Sequence, residues 1–430
     1  MMFYIKIFSR HITTKCFKQE TWQSFHKYCP PLYRNSTGFL YPSRNPIKSI
    51  SSFGRQYAKF SSIKEFRNHR SVLGMKITVP NYRTYSQGLS PEGRKRLQWA
   101  TYLSCLIGVG LMSAIGLREF KKFKKTARGM EPIEPELGIT GRHVVKYRYR
   151  GYVIPVYTAD VMDNVFRFQV REDDTWVVSF PKAGTTWLTE MVYLIMSDLN
   201  YDDARQKTID ERVPFFEFVM PGLRSISKQP SPRIIKTHLP FSLLPTQLKE
   251  KKPKIIYIAR NPKDTVVSYY HFTKALAKIN YNGDFNHFFN EFFNNTMLFG
   301  PWWKHVKEGW QMRDEDNVLF LTYEQMKKDL PGTIRMVSMF LGKPLNEAEI
   351  EKLAEHCSFK NMKANPCVNY SWYEGWIYKK EHEEFMRKGI IGDWKNFMTD
   401  EMAKQMDDLV ARELKGTGLQ FYDVSPETRV

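Results

Sequence analysis

Beyond residue 143 the chain alternates short β-branched runs with longer stretches of helical spacing. Four runs read as strands: DTWVVSF (174–180), RIIKTH (233–238), KIIYIAR (254–260) and NVLFLTYE (317–324). Strands separated by amphipathic helices predict an α/β fold, a central parallel β-sheet flanked by helices. Residues 144–430 therefore read as one folded domain, with no internal repeat and no low-complexity tract. Upstream the pattern changes. The nineteen residues Trp99–Leu117 carry no charge and lie between Arg94, Lys95 and Arg96 on one side and Lys121, Lys122, Lys124, Lys125 and Arg128 on the other. At ~1.5 Å per residue such a helix just covers a hydrocarbon core of ~30 Å, which makes 98–118 a candidate transmembrane helix. The other reading is a buried helix of a soluble protein, and basic flanks on both sides leave a span without orientation. Residues 119–143, basic and then rich in Pro and Gly through Gly129–Gly141, read as a linker.

Charge divides along the same boundary. The net charge of +20 suggests a nucleic-acid partner until it is located: residues 1–130 carry 24 Lys and Arg against 4 Asp and Glu, and the remaining 300 residues carry 41 of each. The folded part thus has no overall electrostatic reason to bind nucleic acid. The basic leader, residues 1–97, has the bias of a mitochondrial transit peptide, and equally that of a disordered basic tail or of a segment foreign to the mature protein. A mitochondrial membrane, the cytoplasm and the cytosolic face of the endoplasmic reticulum all remain open as locations. Of five cysteines only Cys357 and Cys367 fall in the folded domain. No disulfide framework and no zinc-ligand spacing follow from them, so a reducing compartment is expected.

Three strand ends carry candidate chemistry. In SFPKAGTTW the first strand stops at Pro181 and a helix should open after Gly184, where free N–H groups and the helix dipole favour a phosphate. Thr185 and Thr186 add hydroxyls and Lys182 a mobile charge. The order is not that of a Walker A loop, since the lysine precedes the glycine. An ordinary helix cap would look the same. The second strand ends in Lys236, Thr237 and His238, and alternation points Lys236 and His238 the same way. An imidazole at the carboxyl edge of a parallel sheet is placed to take a hydroxyl proton, although most histidines are merely structural. The third strand ends in Arg260, where a nucleotide kinase or ATPase would want an acid for magnesium. An arginine suits a phosphate with no metal between. Arg387, Lys388 and Gly389 form a basic turn near the end of the chain.

These segments resemble the cytosolic sulfotransferase family, over roughly Val145 to Phe421. FPKAGTTW is similar to its loop for the 5′-phosphosulfate, KTHLP to its catalytic strand end, IARNPKDTVVSYYHF to its 3′-phosphate motif, RKGIIGDWKN to its C-terminal signature, and ERVPFFEF to its acceptor segment. The resemblance implies 3′-phosphoadenosine 5′-phosphosulfate (PAPS) as donor, no metal, and a small hydrophobic acceptor such as a phenol, a sterol or another alcohol or amine. It implies His238 as general base, Lys182 on the bridging oxygen, Lys236 on the transferring group, and Ser268 both gripping the 3′-phosphate and restraining Lys182. Arg260, Arg387, Lys388 and Gly389 would close on that phosphate. Ala183, Gly184, Thr185 and Thr186 would form the loop. Trp187, Tyr323 and Phe359 would flank the adenine, with Ser358 and Met386 completing the nucleotide site. Phe180, Pro214, Phe215, Phe216 and His238 would line the acceptor pocket. Ala183 replaces a common serine and Cys357 a frequent threonine. The family's dimer motif reads Lys395, Thr399, Asp400 and Lys404, without its valine and glutamate, so the resemblance carries no homodimer over. Two other classes remain: a nucleotide kinase or ATPase, and a non-catalytic nucleotide-binding protein that keeps the fold.

Overall fold

The computed structural model describes residues 145–421 apart from 219–221, 278, 376 and 380–383, together with 90–93, 95, 99, 100, 116–121 and 123–133. The chain divides into two units, Met1–Leu103 and Ser104–Val430, and everything below concerns the second. Most of the candidate span 98–118 and almost all of the leader lie outside the described residues. No helix among the described residues is long and apolar enough to cross a membrane.

Four parallel strands form the central sheet: β4 (Thr175–Ser179), β5 (Ile234–Thr237), β6 (Lys254–Ala259) and β7 (Val318–Thr322), in the order β5-β4-β6-β7. Each falls within a run predicted from the hydrophobic pattern. Period-two alternation explains both faces of the sheet. Trp176 and Val178 of β4 and Ile255 and Tyr257 of β6 enter one buried cluster with Phe288, Trp302 and Val306. Val177, Ile256 and Ile258 enter another with Leu188, Met191, Ile334 and Leu353. Helices therefore cover both faces. On the first face lie α5 (Phe285–Phe293) and α6 (Trp302–Gln311); on the second lie α2 (Thr185–Met196), α7 (Leu330–Leu341) and α8 (Glu347–His356).

A second, antiparallel sheet of β1 (Glu131–Ile133), β2 (Lys146–Tyr149) and β3 (Tyr152–Pro155) precedes it. Within the stretch 119–143, read as a linker, Glu131 pairs with Arg148 and Ile133 with Lys146. The helical residues 116–121 and 123–126 are tied to α1 (Val156–Phe166) by Lys125, which reaches Asp160 at 2.7 Å, and by Arg128 on Asp163. Proline and glycine bias marks breaks in regular structure, and three-residue strands are too short for periodicity to reveal.

The entrance to β4 rests on a buried ion pair. Arg233 donates to Asp174 through Nε at 2.7 Å and Nη2 at 2.6 Å, and both side chains are at most 2% exposed. The pair joins the residues just before β4 and β5, the two strands that deliver the anion loop and His238. Arg233→Ala would leave the carboxylate buried without its counter-charge, with the Arg171 N–H as its remaining donor among the described residues, a loss of ~3–5 kcal/mol. Urea unfolding of this variant should show an unfolding free energy lower by that margin, from a lower midpoint with an unchanged m-value; stability within ~1 kcal/mol of wild type would refute the assignment.

Candidate functional site

All four strands of the central sheet release their chains at one edge, and the candidate groups gather there. After β4 the backbone turns through Lys182 at φ 68° and Gly184 at φ 102° before α2 begins. Gly184 is required twice over. Its φ is left-handed, and a Cβ would lie 2.9 Å from the Tyr323 ring and 3.3 Å from Ile258. The backbone can thus approach a ligand closely while the N–H groups of α2 stay open to it. Thr185 Oγ1 is bound to Ser179 Oγ at 2.6 Å, which pins the loop to the strand.

Lys182 Nζ lies 3.7 Å from the centre of the Phe385 ring and 4.5 Å from that of Phe272. Burial, reinforced by the Arg260 and Arg387 charges, pulls its ammonium down to about 7. Ser268 lines the same cavity, but among the described residues no hydrogen bond joins it to Lys182. The ammonium rests on the two rings instead.

His238, half-buried at the end of β5, is fixed on both sides of its backbone. Its N–H donates to Glu217 at 2.8 Å and its carbonyl accepts from His305 Nε2 at 3.0 Å. His238 Nδ1 is 2.9 Å from the Ser179 carbonyl oxygen. A carbonyl can only accept, so Nδ1 carries the hydrogen and Nε2 the lone pair. Burial lowers this imidazole to about 3, with the neighbouring His305, Lys236 and Lys182 pushing the same way against the Ser179 hydrogen bond. It is a neutral base at any pH near 7. Glu217, which also accepts from Thr237 at 2.8 Å, is raised to about 7 by burial, against the hydrogen bonds it receives. Lys236 ends elsewhere than expected: its Nζ is held by Asp210 at 2.6 Å, above the Phe215 ring.

Arg260 leaves β6 buried, its guanidinium 4.2 Å over Tyr323, reaching the Ile390 carbonyl at 3.2 Å through Nη2. The helix that follows, α4 (Pro262–Ala275), begins with Pro262 and the Asn261 side chain accepting from Lys263 N–H. In its first turn Asp264 accepts from Gly392 N–H at 2.8 Å and Trp394 N–H at 3.1 Å, and so anchors the C-terminal segment. There Arg387 and Lys388 both pair with Asp393. Burial would raise that carboxyl, but hydrogen bonds from Lys388, Arg387 and Asn396 prevail and hold it at about 2. Gly389, at φ 65°, lies where a Cβ would meet the Phe359 ring at 2.2 Å.

One cavity of about 1000 Å³ joins these groups. Lys182, Gly184, Thr185, Thr186, Trp187, Arg260 and Ser268 line it, as do Tyr323, Ser358, Phe359, Met386, Arg387, Lys388 and Gly389. Trp187 is held by its Nε1, which donates to the Cys357 carbonyl at 2.8 Å, with its ring edge-on to Tyr323. The cavity continues past His238 into a region walled by Tyr157, Phe215, Phe218, Met297 and Phe299. Several expected residues stay outside the lining. Ala183 and Lys236 are buried behind it, and Phe180, Pro214 and Phe216 belong to the core. Phe180 continues the inward face of β4 against Tyr269, Phe292 and His305, while Phe216 packs on Phe168 and Trp176. Sequence reasoning missed Asp210, Glu217, Phe272, Phe385 and Tyr370. Glu217 stands inside the ERVPFFEF segment, and an acid among aromatics was the available signal. No group of three His, Cys, Asp or Glu that could hold a metal occurs among the described residues.

Residues 172–418 match the sulfotransferase domain. Sulfotransferase 1B1 of Canis lupus familiaris is 38% identical over 276 residues, covering 63% of this chain and 93% of that protein. Sulfotransferase 1E1 of Cavia porcellus is 38% identical over 277 residues, covering 64% and 94%. Among solved structures, retinol dehydratase in complex with androsterone and the inactive cofactor PAP superposes with a TM-score of 0.63 at 30% identity, covering 68% of this chain and 97% of that one. A mouse sulfotransferase complexed with PAP gives 0.53 at 29% identity, covering 63% and 94%. The domain match begins just before β4 and ends beyond the last described helix, and so takes in every strand end that faces the cavity: this chain belongs to the sulfotransferase family.

Proposed function

We propose that this enzyme transfers a sulfuryl group from PAPS to the hydroxyl, or amine, of a small hydrophobic acceptor, with His238 as general base. The observation that carries the proposal is the tautomer of His238. Its Nδ1–H is committed to Ser179, so the basic Nε2 belongs to the side chain lying where the cationic half of the cavity gives way to the aromatic half.

The residues fit the donor. Gly184 and Gly389 keep two stretches of backbone bare where a Cβ would collide with an aromatic ring, which leaves room for flat and phosphorylated groups. Arg260 Nε is buried without a hydrogen-bond partner among the described residues, a donor in want of an anion. Arg260, Ser268, Arg387, Lys388 and Gly389 would hold the 3′-phosphate, Lys182 to Thr186 the phosphosulfate, and Trp187, Tyr323 and Phe359 the adenine. When bound, PAPS supplies a sulfuryl group on a phosphate leaving group. His238 Nε2 accepts the acceptor's proton as the new S–O bond forms and the old one breaks. Lys182 neutralises charge on the departing oxygen. Proximity and fixed charges supply the catalysis.

For the acceptor, the lining of Tyr157, Phe215, Phe218, Met297 and Phe299 favours an apolar phenol, sterol or long-chain alcohol. Androsterone, the compound in complex with retinol dehydratase, is of that class. The charge-free run within 98–118 between basic flanks supports attachment of the domain to a membrane. Residues 1–130 fused to a fluorescent reporter should then label a membrane-bound compartment, and diffuse fluorescence would refute the anchor.

Two kinetic outcomes test the site. His238→Ala should lower kcat by roughly 10²–10⁴-fold. Its binding of adenosine 3′,5′-bisphosphate, followed by calorimetry, should stay near that of wild type; a wild-type rate would remove the base assignment. The pH profile follows from two opposite requirements. His238 must be unprotonated, a form present above about 3, and Lys182 must be protonated, a form lost as pH rises through about 7. The kcat/KM for the donor should therefore show no acid limb near the ordinary histidine value of ~6.5 and should decline above neutrality. Lys182→Arg, which cannot deprotonate, should move that decline to higher pH, where the next buried ammonium, Lys236, loses its proton; a decline unmoved in the variant would assign it to another group.

A further inference from the structure

The end of β5 carries a counter-charge that sulfuryl transfer does not itself demand. Lys236 is 1% exposed and donates to Asp210 Oδ1 at 2.6 Å. Asp210 lies in the first turn of α3 (Ile209–Arg212), a single turn held by a reciprocal cap between Thr208 and Glu211. Its second oxygen accepts from Tyr373 at 3.0 Å, and the Tyr370 hydroxyl lies 3.4 Å from the first. Tyr370 also receives Lys236 Nζ at 3.3 Å. Asp210, Tyr370 and Tyr373 all line the cavity, and Lys236 sits directly behind Phe215, the ring that touches His238.

The groups facing Lys236 are few. From α3 come Asp210 and Arg212, and Arg212 is already engaged by Glu190 at 2.7 Å. Glu217 follows on the same segment, Tyr370 faces it from the opposite wall, and His238 lies two residues on. Burial and Arg212 drive the ammonium toward its neutral form, while Asp210 and Glu217 oppose them. A buried ammonium without a counter-charge sheds its proton rather than stay charged.

We propose that Asp210 is a positioning residue for Lys236. It holds the ammonium charged beside His238 until the donor's sulfuryl oxygens take its place, and Tyr370 and Tyr373 then hold the released carboxylate. The inference rests on the sulfotransferase reading of the cavity. It adds to that reading a reserve anion, which links donor arrival to the segment bearing the two tyrosines. That segment is tied to α4 through the pairing of Leu276 with Tyr378.

The test uses the full chain in a Lys182→Arg background, so that position 182 no longer titrates, and follows donor kcat/KM against pH. Asp210→Asn should lower kcat on the order of tenfold to a hundredfold. It should also move the remaining basic limb to lower pH, because Lys236 loses the charge that retains its proton. Binding of adenosine 3′,5′-bisphosphate, which lacks the sulfuryl group, should change by less than about threefold. Asp210→Glu should restore the limb. Tyr373→Phe removes the donor to the second carboxylate oxygen, leaving Asp210 to Lys236 and the more distant Tyr370, and should shift the limb upward, a reading that stands even if Asp210→Asn folds poorly. A limb unmoved by both substitutions would overturn the proposal, as would equal losses of nucleotide binding and turnover. A parent chain that neither bound the bisphosphate nor transferred sulfuryl would defeat the sulfotransferase reading itself.

Discussion

Everything at the carboxyl edge of the central sheet answers to one constraint: positive charge gathered out of water must be neutralised. Lys182, Lys236, Arg260 and Arg387 come from four separate parts of the chain and line or back one cavity. Desolvation makes each of them costly, and like charges add to the cost. The protein meets that cost in a different way at each end. Arg387 and Lys388 share Asp393, and Lys236 has Asp210. Arg260 has carbonyl oxygens and the face of Tyr323. Among the described residues Lys182 meets the faces of Phe272 and Phe385, which stabilise a cation far less than a carboxylate does. Burial, with the Arg260 and Arg387 charges, therefore depresses its ammonium unopposed by any carboxylate among the described residues.

Much of this was legible in the sequence because it follows from backbone periodicity. The four strands were found since buried parallel strands are continuous β-branched runs, and the functional groups were placed by asking what stands at each strand's last residue. The ERVPFFEF segment follows no alternation, because the chain turns at Phe216 and Glu217. Phe215 and Phe218 face the cavity, whereas Phe216 turns to Trp176 and Glu217 turns to the backbone of His238. Phe180 likewise continues the inward face of Trp176 and Val178. Reading every aromatic of a motif as lining ignored both the alternation of the strand that ends in Phe180 and the turn that sends Phe216 into the core.

What could not be read was tertiary. Asp210 meets Lys236 across 26 residues, Phe385 meets Lys182 across about two hundred, and Asp264 fixes Gly392 from the first turn of a distant helix. No local pattern foretells such pairs. An acid in a helix's first turn is explained well enough by the helix dipole, so Asp210 and Asp264 carried no signal. The antiparallel β1–β3 sheet was hidden for a related reason, since its first strand is three residues inside a Pro/Gly stretch.

The distribution of counter-charges also bears on how the site works as a whole. Carboxylates stand beside the cations at both ends of the cavity, Asp393 near the basic turn and Asp210 near His238, and none stands beside Lys182 among the described residues. An anion entering the cavity must displace an internal partner at either end, which reduces what its charge can gain there. At Lys182 it displaces nothing but ring faces. On the proposed reading, the charge of a bound phosphosulfate therefore meets no competing carboxylate at Lys182, the cation proposed for the breaking bond, among the described residues. Interactions that grow as charge develops in the transition state speed a reaction, whereas equal gains throughout would only tighten binding. An arrangement that pairs Arg387, Lys388 and Lys236 with carboxylates and leaves Lys182 without one among the described residues would, on that reading, direct the electrostatics toward turnover.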